Sequence, residues 1–238
     1  MAGFELHDLT LGYAGRAAVS RLNGIFLAGS LTAIVGPNGS GKSTVLKGLA
    51  GLHKPLSGQI TRHDIDQYGV AYLPQVGELD LSFPATVNDL TSMGLWKKRG
   101  LFKSHTSADQ KAIVFALTRV GLQDFGQKQI NTLSGGQLQR ALFARLILQD
   151  CQAILLDEPF TAIDEGTTED LMALIAQWHH QGRTVLVVLH DFEFVKRHFP
   201  QTLLLAKGPV AWGATADVLS LVNLANVQKK MQEEAEAA

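Results

Sequence analysis

A glycine-rich stretch near the amino terminus, Gly36-Pro37-Asn38-Gly39-Ser40-Gly41-Lys42-Ser43-Thr44, constrains this chain more than any other feature. It fits the pattern G-x-x-x-x-G-K-[ST], in which the backbone N–H groups of a loop surround a phosphate. The apolar residues 31–35 before it predict a strand, and residues 43–50 after it predict a helix that ends at Gly51. Such a helix directs its positive end at the loop. The alternative is a glycine turn beside an unrelated lysine.

The chemistry of such phosphate-binding loops predicts roles for two side chains. Lys42 supplies a positive charge for the outer phosphates, and the Ser43 hydroxyl is a ligand for magnesium. We therefore expect a phosphate-binding site for a nucleotide in an α/β domain, with Mg²⁺ beside the phosphates.

A second pattern, an apolar run that ends in two acids, occupies residues 153–158. Ligands of open α/β sheets bind at the carboxyl ends of the strands, where Asp157 is predicted to lie. Asp157 is expected to hold Mg²⁺, and Glu158 is expected to accept the proton of an attacking water. The alternative is that the two acids form surface ion pairs at the end of a strand.

The composition limits the classes of partner. The 238 residues carry a formal net charge of -1 and one cysteine, Cys151. The charge gives no electrostatic case for nucleic acid or an anionic membrane, and a single cysteine allows no internal disulfide. The first residues do not form a signal peptide, and no apolar run reaches the roughly 18 residues of a membrane span. We expect a soluble cytoplasmic protein whose membrane role, if it has one, comes through a partner.

The order of predicted elements indicates one domain over residues 1–238 with a helical insertion at about 81–133 and a tail from 221. Strands are expected at 4–13, 19–26, 59–61, 69–73, 153–156 and 184–189, and a closing hairpin at 203–206 and 210–212. Helices are expected at 86–93, 108–120, 135–149 and 165–181, the second of them capped by Ser107 and Gln110. The basic run 96–103 is expected to be a solvated loop, with a contact to a partner or to lipid headgroups as the alternative.

A third motif, Leu133-Ser134-Gly135-Gly136-Gln137, precedes a predicted helix. Ser134 and Gln137 form a capping box, and on the simplest interpretation the motif does nothing else. The two glycines also leave the backbone bare, so that N–H groups, the Ser134 hydroxyl and the helix dipole can face an anion. One nucleotide cannot use this site and the loop at 36–44 from the same face of one chain.

Together the three motifs resemble the ATP-binding cassette (ABC) family, over nearly the whole chain. The resemblance implies an α/β P-loop nucleotide-binding domain with an N-terminal antiparallel β subdomain and an inserted α-helical subdomain. It also implies a homodimer, in which Ser134, Gly136 and Gln137 of one copy grip the γ-phosphate of ATP bound at the phosphate loop of the other copy.

The same resemblance assigns further residues. Tyr13 would stack on adenine, and Gln75 would reach magnesium and the attacking water. Asp164 would contact the other subunit at the nucleotide, and His190 would bond the γ-phosphate and position the water. One departure is mild: Thr161-Ala162-Ile163 stands where Ser-Ala-Leu is more usual.

The stretch 75–87, with an acid before Phe83-Pro84-Ala85-Thr86-Val87, resembles the zinc, manganese and iron importer branch and in particular bacterial zinc-uptake ATPases. This implies integral membrane permease subunits as partners and, through them, an extracytoplasmic metal-binding protein. The chain would then lie at the cytoplasmic face of the inner membrane. The ATPase itself does not touch the metal.

Other hypotheses stay open. The chain could serve a manganese or iron-chelate importer, or be a non-transport ABC ATPase acting on ribosomes or in DNA repair. It could also be a small-molecule kinase that uses the phosphate loop alone, although this leaves residues 133–137 unexplained. The remaining histidines are predicted to be surface or packing residues: His7, His53, His63, His105, His179, His180 and His198.

Overall fold

The computed structural model describes residues 2–100 and 105–227. Its strands are β1 (Ala2–Tyr13), β2 (Arg16–Leu27), β3 (Leu31–Val35), β4 (Ser57–Arg62), β5 (Val70–Leu73), β6 (Ala153–Asp157), β7 (Thr184–Val188), β8 (Gln201–Leu205) and β9 (Pro209–Ala214). Its helices include α1 (Lys42–Ala50), α2 (Val87–Ser92), α3 (Trp96–Arg99), α4 (Ser107–Arg119), α5 (Gly135–Gln149), α6 (Glu165–His180), α7 (Phe192–His198) and α8 (Thr215–Val218).

The strands form two sheets. A three-stranded antiparallel sheet has the order β2-β1-β4, and a six-stranded sheet has the order β5-β6-β7-β3-β8-β9. Neighbours from β5 to β8 run parallel, whereas β8 and β9 form an antiparallel hairpin. Every residue of β3, β6 and β7 is buried, which explains why these strands are continuous apolar runs.

The core has two layers, one on each face of the six-stranded sheet. On one face, Ile34 and Leu155 pack with α1 and with the three-stranded sheet. On the other face, Ala33 and Leu156 pack with α5, α6 and the helices of the insertion. Successive strand residues point to opposite faces, so the same short strands supply both layers. The predicted α/β architecture, with an antiparallel subdomain and a helical insertion, is thereby confirmed.

The first turn of α4 differs from its prediction. Thr106, not Ser107, is the N-cap: its hydroxyl accepts from the N–H of Asp109, and the Asp109 carboxylate accepts from the N–H of Thr106. Asp109 thus occupies the place predicted for Gln110, and the helix begins one residue early. A carboxylate accepts the cap N–H as well as an amide does, so two overlapping boxes were possible in the sequence.

The basic run also differs, because residues 96–99 form α3 rather than a loop. Each of its cations lies against an acid: Lys97 with Asp66, Lys98 with Asp150 and Arg99 with Asp109. The cations of α3 are thus each paired with an acid, and the alternative of a contact to a partner or to lipid headgroups stays a prediction. Positions 101–103 of the run lie outside the described residues.

Besides α3, the helices α7 and α8 were not predicted. The tail from 228 lies outside the described residues, and the domain bounds stay a prediction. Within residues 2–100 and 105–227, no helix has both the length and the apolar character needed to span a bilayer.

Candidate functional site

Four neighbouring strands carry the predicted site residues at their carboxyl ends. Gly36 follows β3, Gln75 lies two residues after β5, Asp157 ends β6 and His190 lies two residues after β7. In the sheet order β5-β6-β7-β3 these strands are adjacent. Carboxyl ends of parallel strands meet at one edge of a sheet, so the fold brings the four positions to one place.

The phosphate loop needs glycine at two positions where the backbone has positive φ. Gly36 has φ 149, and a Cβ there would lie 2.1 Å from the carbonyl oxygen of Leu205. Gly41 has φ 93 and is the N-cap of α1; a Cβ there would lie 2.9 Å from the carbonyl oxygen of Ala18. Any larger residue would displace the loop from the strands beneath it.

Lys42 folds back across this loop. Its ammonium donates to the carbonyl of Gly36 at 3.0 Å and to that of Pro37 at 2.8 Å. Burial lowers the pKa of Lys42, and the nearby charges of Glu158 and Asp157 oppose that shift. The structure therefore places the ammonium at the loop and within electrostatic reach of both acids.

The loop fits a phosphate group. The N-cap of α1 has no side-chain hydrogen bond, so the first N–H groups of the helix have no capping side chain to receive them. The Ser40 hydroxyl is buried and has no hydrogen-bond partner within the described part of the chain. Orphaned donors at a helix start, beside a lysine, are what an anion would satisfy.

The contact between Ser43 and Asp157 fits magnesium. Ser43 Oγ donates to Asp157 Oδ1 at 3.0 Å, across 114 residues of sequence. Asp157 is fully buried, and burial raises the pKa of its carboxyl, while the bond from Ser43 opposes the rise. A hydroxyl and a carboxylate are the oxygen ligands that Mg²⁺ takes, together with phosphates and water. On its other oxygen, Asp157 accepts from the Tyr72 hydroxyl at 3.3 Å.

Glu158 has a left-handed backbone, with φ 50, which is uncommon for a residue other than glycine. Its N–H donates to the carbonyl of Val188 in the neighbouring strand at 3.2 Å. One carboxylate oxygen contacts His190 Nε2, and the other accepts from Thr161 Oγ1 at 3.2 Å. Both oxygens of the acid are thus held by neighbouring side chains.

Gln75 starts a short turn after β5, and its carbonyl accepts from the N–H of Glu78 at 2.9 Å. The Glu78 carboxylate accepts from Lys47 Nζ of α1 at 2.7 Å, and this hydrogen bond raises the pKa of Lys47. The turn that carries Gln75 is therefore attached to the helix that begins at the phosphate loop.

Tyr13 ends β1 with 51% of its surface exposed. Its ring centroid lies 4.5 Å from that of His53, whose Nε2 contacts the carbonyl of Gly12. The exposed face of Tyr13 can stack on a base. His53 was predicted only as a surface or packing residue, and its contact with Tyr13 was not predicted.

The second predicted phosphate site lies at the start of α5. Ser134 Oγ accepts from the N–H of Gln137 at 3.3 Å, and Gln137 Oε1 accepts from the N–H of Ser134 at 3.1 Å, so the predicted capping box is confirmed. Residues 134–137 line a cavity of about 450 Å³ together with Asp164 and Thr167. Residues 36–44 do not line it.

Asp164 caps α6 in this cavity by accepting from the N–H of Thr167 at 2.9 Å. That bond holds the pKa of Asp164 below its ordinary value. The predicted residues thus fall into two groups: one around the phosphate loop, and one around the start of α5.

Sequence reasoning missed two contacts of the first group, those of Tyr72 and Thr161. Thr161 lies three positions after Glu158, so a local turn at this point of the sequence could have indicated the bond. Tyr72 lies 85 residues from Asp157, and only the pairing of β5 with β6 brings them together.

The comparisons with known proteins agree with this arrangement. A family model described as ABC transporter matches residues 19–161. The manganese transport system ATP-binding protein MntB of Bacillus subtilis (strain 168) is 37% identical over 224 residues, which cover 92% of this chain and 90% of that protein.

Two solved structures are similar over most of the chain. A metal-chelate type ABC transporter in an inward-facing conformation has a TM-score of 0.84 at 29% identity, covering 96% of this chain and 90% of that one. A dimeric bacterial ABC transporter cassette has a TM-score of 0.77 at 26% identity, covering 89% and 98%. The matched range contains the phosphate loop, residues 133–137, Asp157 and Glu158, and the chain therefore belongs to the ABC transporter family as one of its ATPases.

Proposed function

We propose that this chain is the ATP-binding and ATP-hydrolysing subunit of an importer for a divalent metal ion, and that it works as a homodimer. The proposal depends most on one observation. The N-termini of α1 and α5 are both suited to bind phosphate, and they belong to two different sites. One nucleotide held at α1 leaves the start of α5 for the nucleotide of a second copy.

Hydrolysis is assigned to the first group of residues. Residues 36–44 hold the phosphates, with Lys42 on the outer ones, and Tyr13 stacks on the adenine. Ser43, Asp157 and Gln75 would hold Mg²⁺, which when bound supplies positive charge to the phosphate oxygens. Glu158 takes the proton of the attacking water, a contribution of about 10²–10⁴ in rate. His190, already in contact with Glu158, orients the acid and bonds the γ-phosphate.

Dimerisation is assigned to the second group. Ser134, Gly136 and Gln137 would bind the γ-phosphate of the opposing copy, and Asp164 lies beside them in the same cavity. The capping box need not open for this, because the Ser134 hydroxyl accepts from the N–H of Gln137 and can still donate its own proton to a phosphate oxygen. The similar cassette of known structure that is described as dimeric supports this assignment. ATP then joins the two copies, and its hydrolysis releases them.

The membrane partners follow from the same family. The relatives are named as ATP-binding proteins of transport systems, and one similar structure is of a transporter. We therefore propose integral membrane permease subunits as direct partners, an extracytoplasmic metal-binding protein as an indirect one, and a peripheral position at the cytoplasmic face of the cell membrane. Nucleic acid is not part of the proposal, given the net charge of -1.

The identity of the transported metal is a separate part of the proposal. The stretch 75–87 predicts zinc, whereas the most similar relative described above is named for manganese. We propose manganese as the first candidate and zinc as the second.

Uptake measurements test the proposal. Cells that depend on this chain should take up radioactive manganese, and Lys42→Ala should abolish uptake because the phosphates lose their cation. Lys54→Ala, an exposed lysine close by in sequence, is the matched control and should leave uptake unchanged. Zinc uptake measured in the same cells decides between the metals. If uptake of neither metal depends on Lys42, the importer proposal is wrong; co-purification with ribosomes or DNA instead of a membrane protein would point to the non-transport class.

A further inference from the structure

The fully buried carboxylate of Asp157 is held from two sides by hydroxyl groups. Ser43 Oγ donates to Oδ1 at 3.0 Å, and the Tyr72 hydroxyl donates to Oδ2 at 3.3 Å. Ser43 belongs to the phosphate loop. Tyr72 belongs to β5, the edge strand of the six-stranded sheet, and has no role in the function proposed so far.

The pairing of the strands explains why Tyr72 points at this acid. Tyr72 lies opposite Leu155 in the parallel pair of β5 and β6. Leu155 and Asp157 are two residues apart, so their side chains share a face of the sheet. Tyr72 and Leu155 both pack on the face that carries α1. The ring of Tyr72 therefore lies under the phosphate-loop helix, and its hydroxyl reaches the end of β6.

The main chain of Tyr72 is anchored as well. Its carbonyl accepts from Arg145 Nη2 of α5 at 3.2 Å. Three residues later the same segment reaches Gln75. The tyrosine is half-buried, and burial is the largest cause of the raised pKa of its hydroxyl, which stays protonated and able to donate.

From this geometry we infer that Tyr72 is a positioning residue for the metal-binding carboxylate: its hydroxyl fixes Oδ2 so that Oδ1 faces Ser43 and the ion. This rests on the proposed role of Asp157 and Ser43 at Mg²⁺. Rotation of a carboxylate about its last bond is soft, so a ligand of this kind needs a second hydrogen bond to hold one orientation. When Ser43 turns to an ion, the bond from Tyr72 does not compete with it, because it occupies the other oxygen.

The test removes the hydroxyl and keeps the ring. In Tyr72→Phe, the affinity for a fluorescent ATP analogue is measured in EDTA and at increasing Mg²⁺, and Mn²⁺ bound with ATP is followed by electron paramagnetic resonance. Outer-shell partners of metal ligands contribute about 10–100-fold to metal affinity, so the Mg²⁺ needed for half-saturation should rise by about that factor. Affinity in EDTA should not change, because the phosphate loop is intact.

Tyr68→Phe is the matched control, since Tyr68 is 66% exposed and lies just before the same strand. It should behave as the wild type in both titrations. The inference is overturned if Tyr72→Phe keeps the wild-type Mg²⁺ dependence, or if it loses affinity equally in EDTA, which would mean that the hydroxyl supports the nucleotide site without acting through the metal. A wild-type protein that binds the analogue without any Mg²⁺ dependence would instead overturn the proposed metal site itself.

Discussion

The starts of α1 and α5 are both glycine-rich helix N-termini, but they satisfy their N–H groups in opposite ways. At α1 the N-cap is Gly41, which offers no side chain, and the first residue is a buried lysine. At α5 the N-cap is Ser134, which is exposed and forms a reciprocal capping box with Gln137. One helix start is left open inside the protein; the other is closed by its own side chains at the surface.

This difference indicates separate roles for the two sites. An open start beside Lys42 gains its missing partners from a phosphate, so α1 should bind nucleotide in a single copy. At α5 the box serves the N–H groups of Ser134 and Gln137 but not those of Gly135 and Gly136, and the first residue of the helix is a glycine where α1 has Lys42. The start of α5 should therefore act only when a second copy presents a nucleotide to it.

The largest expected effect comes from Glu158→Gln, which leaves both helix starts intact and removes the base. Hydrolysis should fall by about 10²–10⁴, while ATP binding at α1 persists. With ATP no longer consumed, the copies should stay joined through α5. Phosphate release and light scattering with ATP measure the two effects. Near-normal turnover would exclude Glu158 as the base.

Ser134→Arg changes the N-terminus of α5 and leaves that of α1 intact. The arginine blocks the approach of a second nucleotide-bearing copy, so dimer-dependent hydrolysis should fall by about 100-fold or more, as when a donor to a reacting oxyanion is removed. ATP binding by single subunits should be unchanged. Ser107→Arg, at the exposed first residue of α4, is the control. If a monomer carrying Ser134→Arg stays fully active, the assignment of α5 to the opposing nucleotide is wrong.

The acids beside the two starts should respond oppositely to pH. Burial raises the pKa of Asp157 in the folded state, so its contribution to stability is full below the unfolded value of about 3.9 and is lost as pH rises through the folded value. Without nucleotide at pH 7, Asp157→Asn should thus raise the unfolding midpoint, because it removes a charge that burial penalises. The gain should fade towards pH 4.

Calorimetry at several pH values measures this, with Asp164→Asn as the comparison. The N–H of Thr167 lowers the pKa of Asp164, so its contribution is present above the unfolded value and is lost as pH falls. Asp164→Asn should therefore lower the midpoint at pH 7. A destabilising Asp157→Asn would mean that the bonds from Ser43 and Tyr72 outweigh the burial of the charge.

Local patterns were sufficient for much of this fold. The apolar runs of β3, β6 and β7 and the capping box of α5 were predicted to within a residue, because each depends on neighbours in sequence. The helix α7 was missed although Asp191 caps it by accepting from the N–H groups of Glu193 and Phe194. That signal was present, but the stretch was interpreted only as the end of a strand.

The contacts that complete the site are of another kind. The bonds of Asp157 to Ser43 and to Tyr72 join residues 114 and 85 positions apart, and no spacing in the sequence encodes them. They depend on the order of strands in the sheet, which a single sequence leaves open. The roles of Ser43 and Asp157 followed from motif chemistry, but Tyr72 belongs to no motif that the residues alone reveal.

The smallest expected effect belongs to Gln137→Ala, which weakens the closure of α5 without touching α1. The N–H of Ser134 loses its acceptor at an exposed position, so water replaces much of the bond and the free energy of unfolding should fall by about 0.5–1 kcal/mol. Urea unfolding without nucleotide measures this, and ATP affinity of the single subunit should be unchanged. The bond to the Ser134 hydroxyl comes from the main-chain N–H at position 137 and persists in the alanine variant, so a change in ATP-driven dimerisation would report on the Gln137 amide itself. Unchanged ATP-driven dimerisation with lower stability would limit Gln137 to capping. Weaker dimerisation would place its amide at the opposing nucleotide.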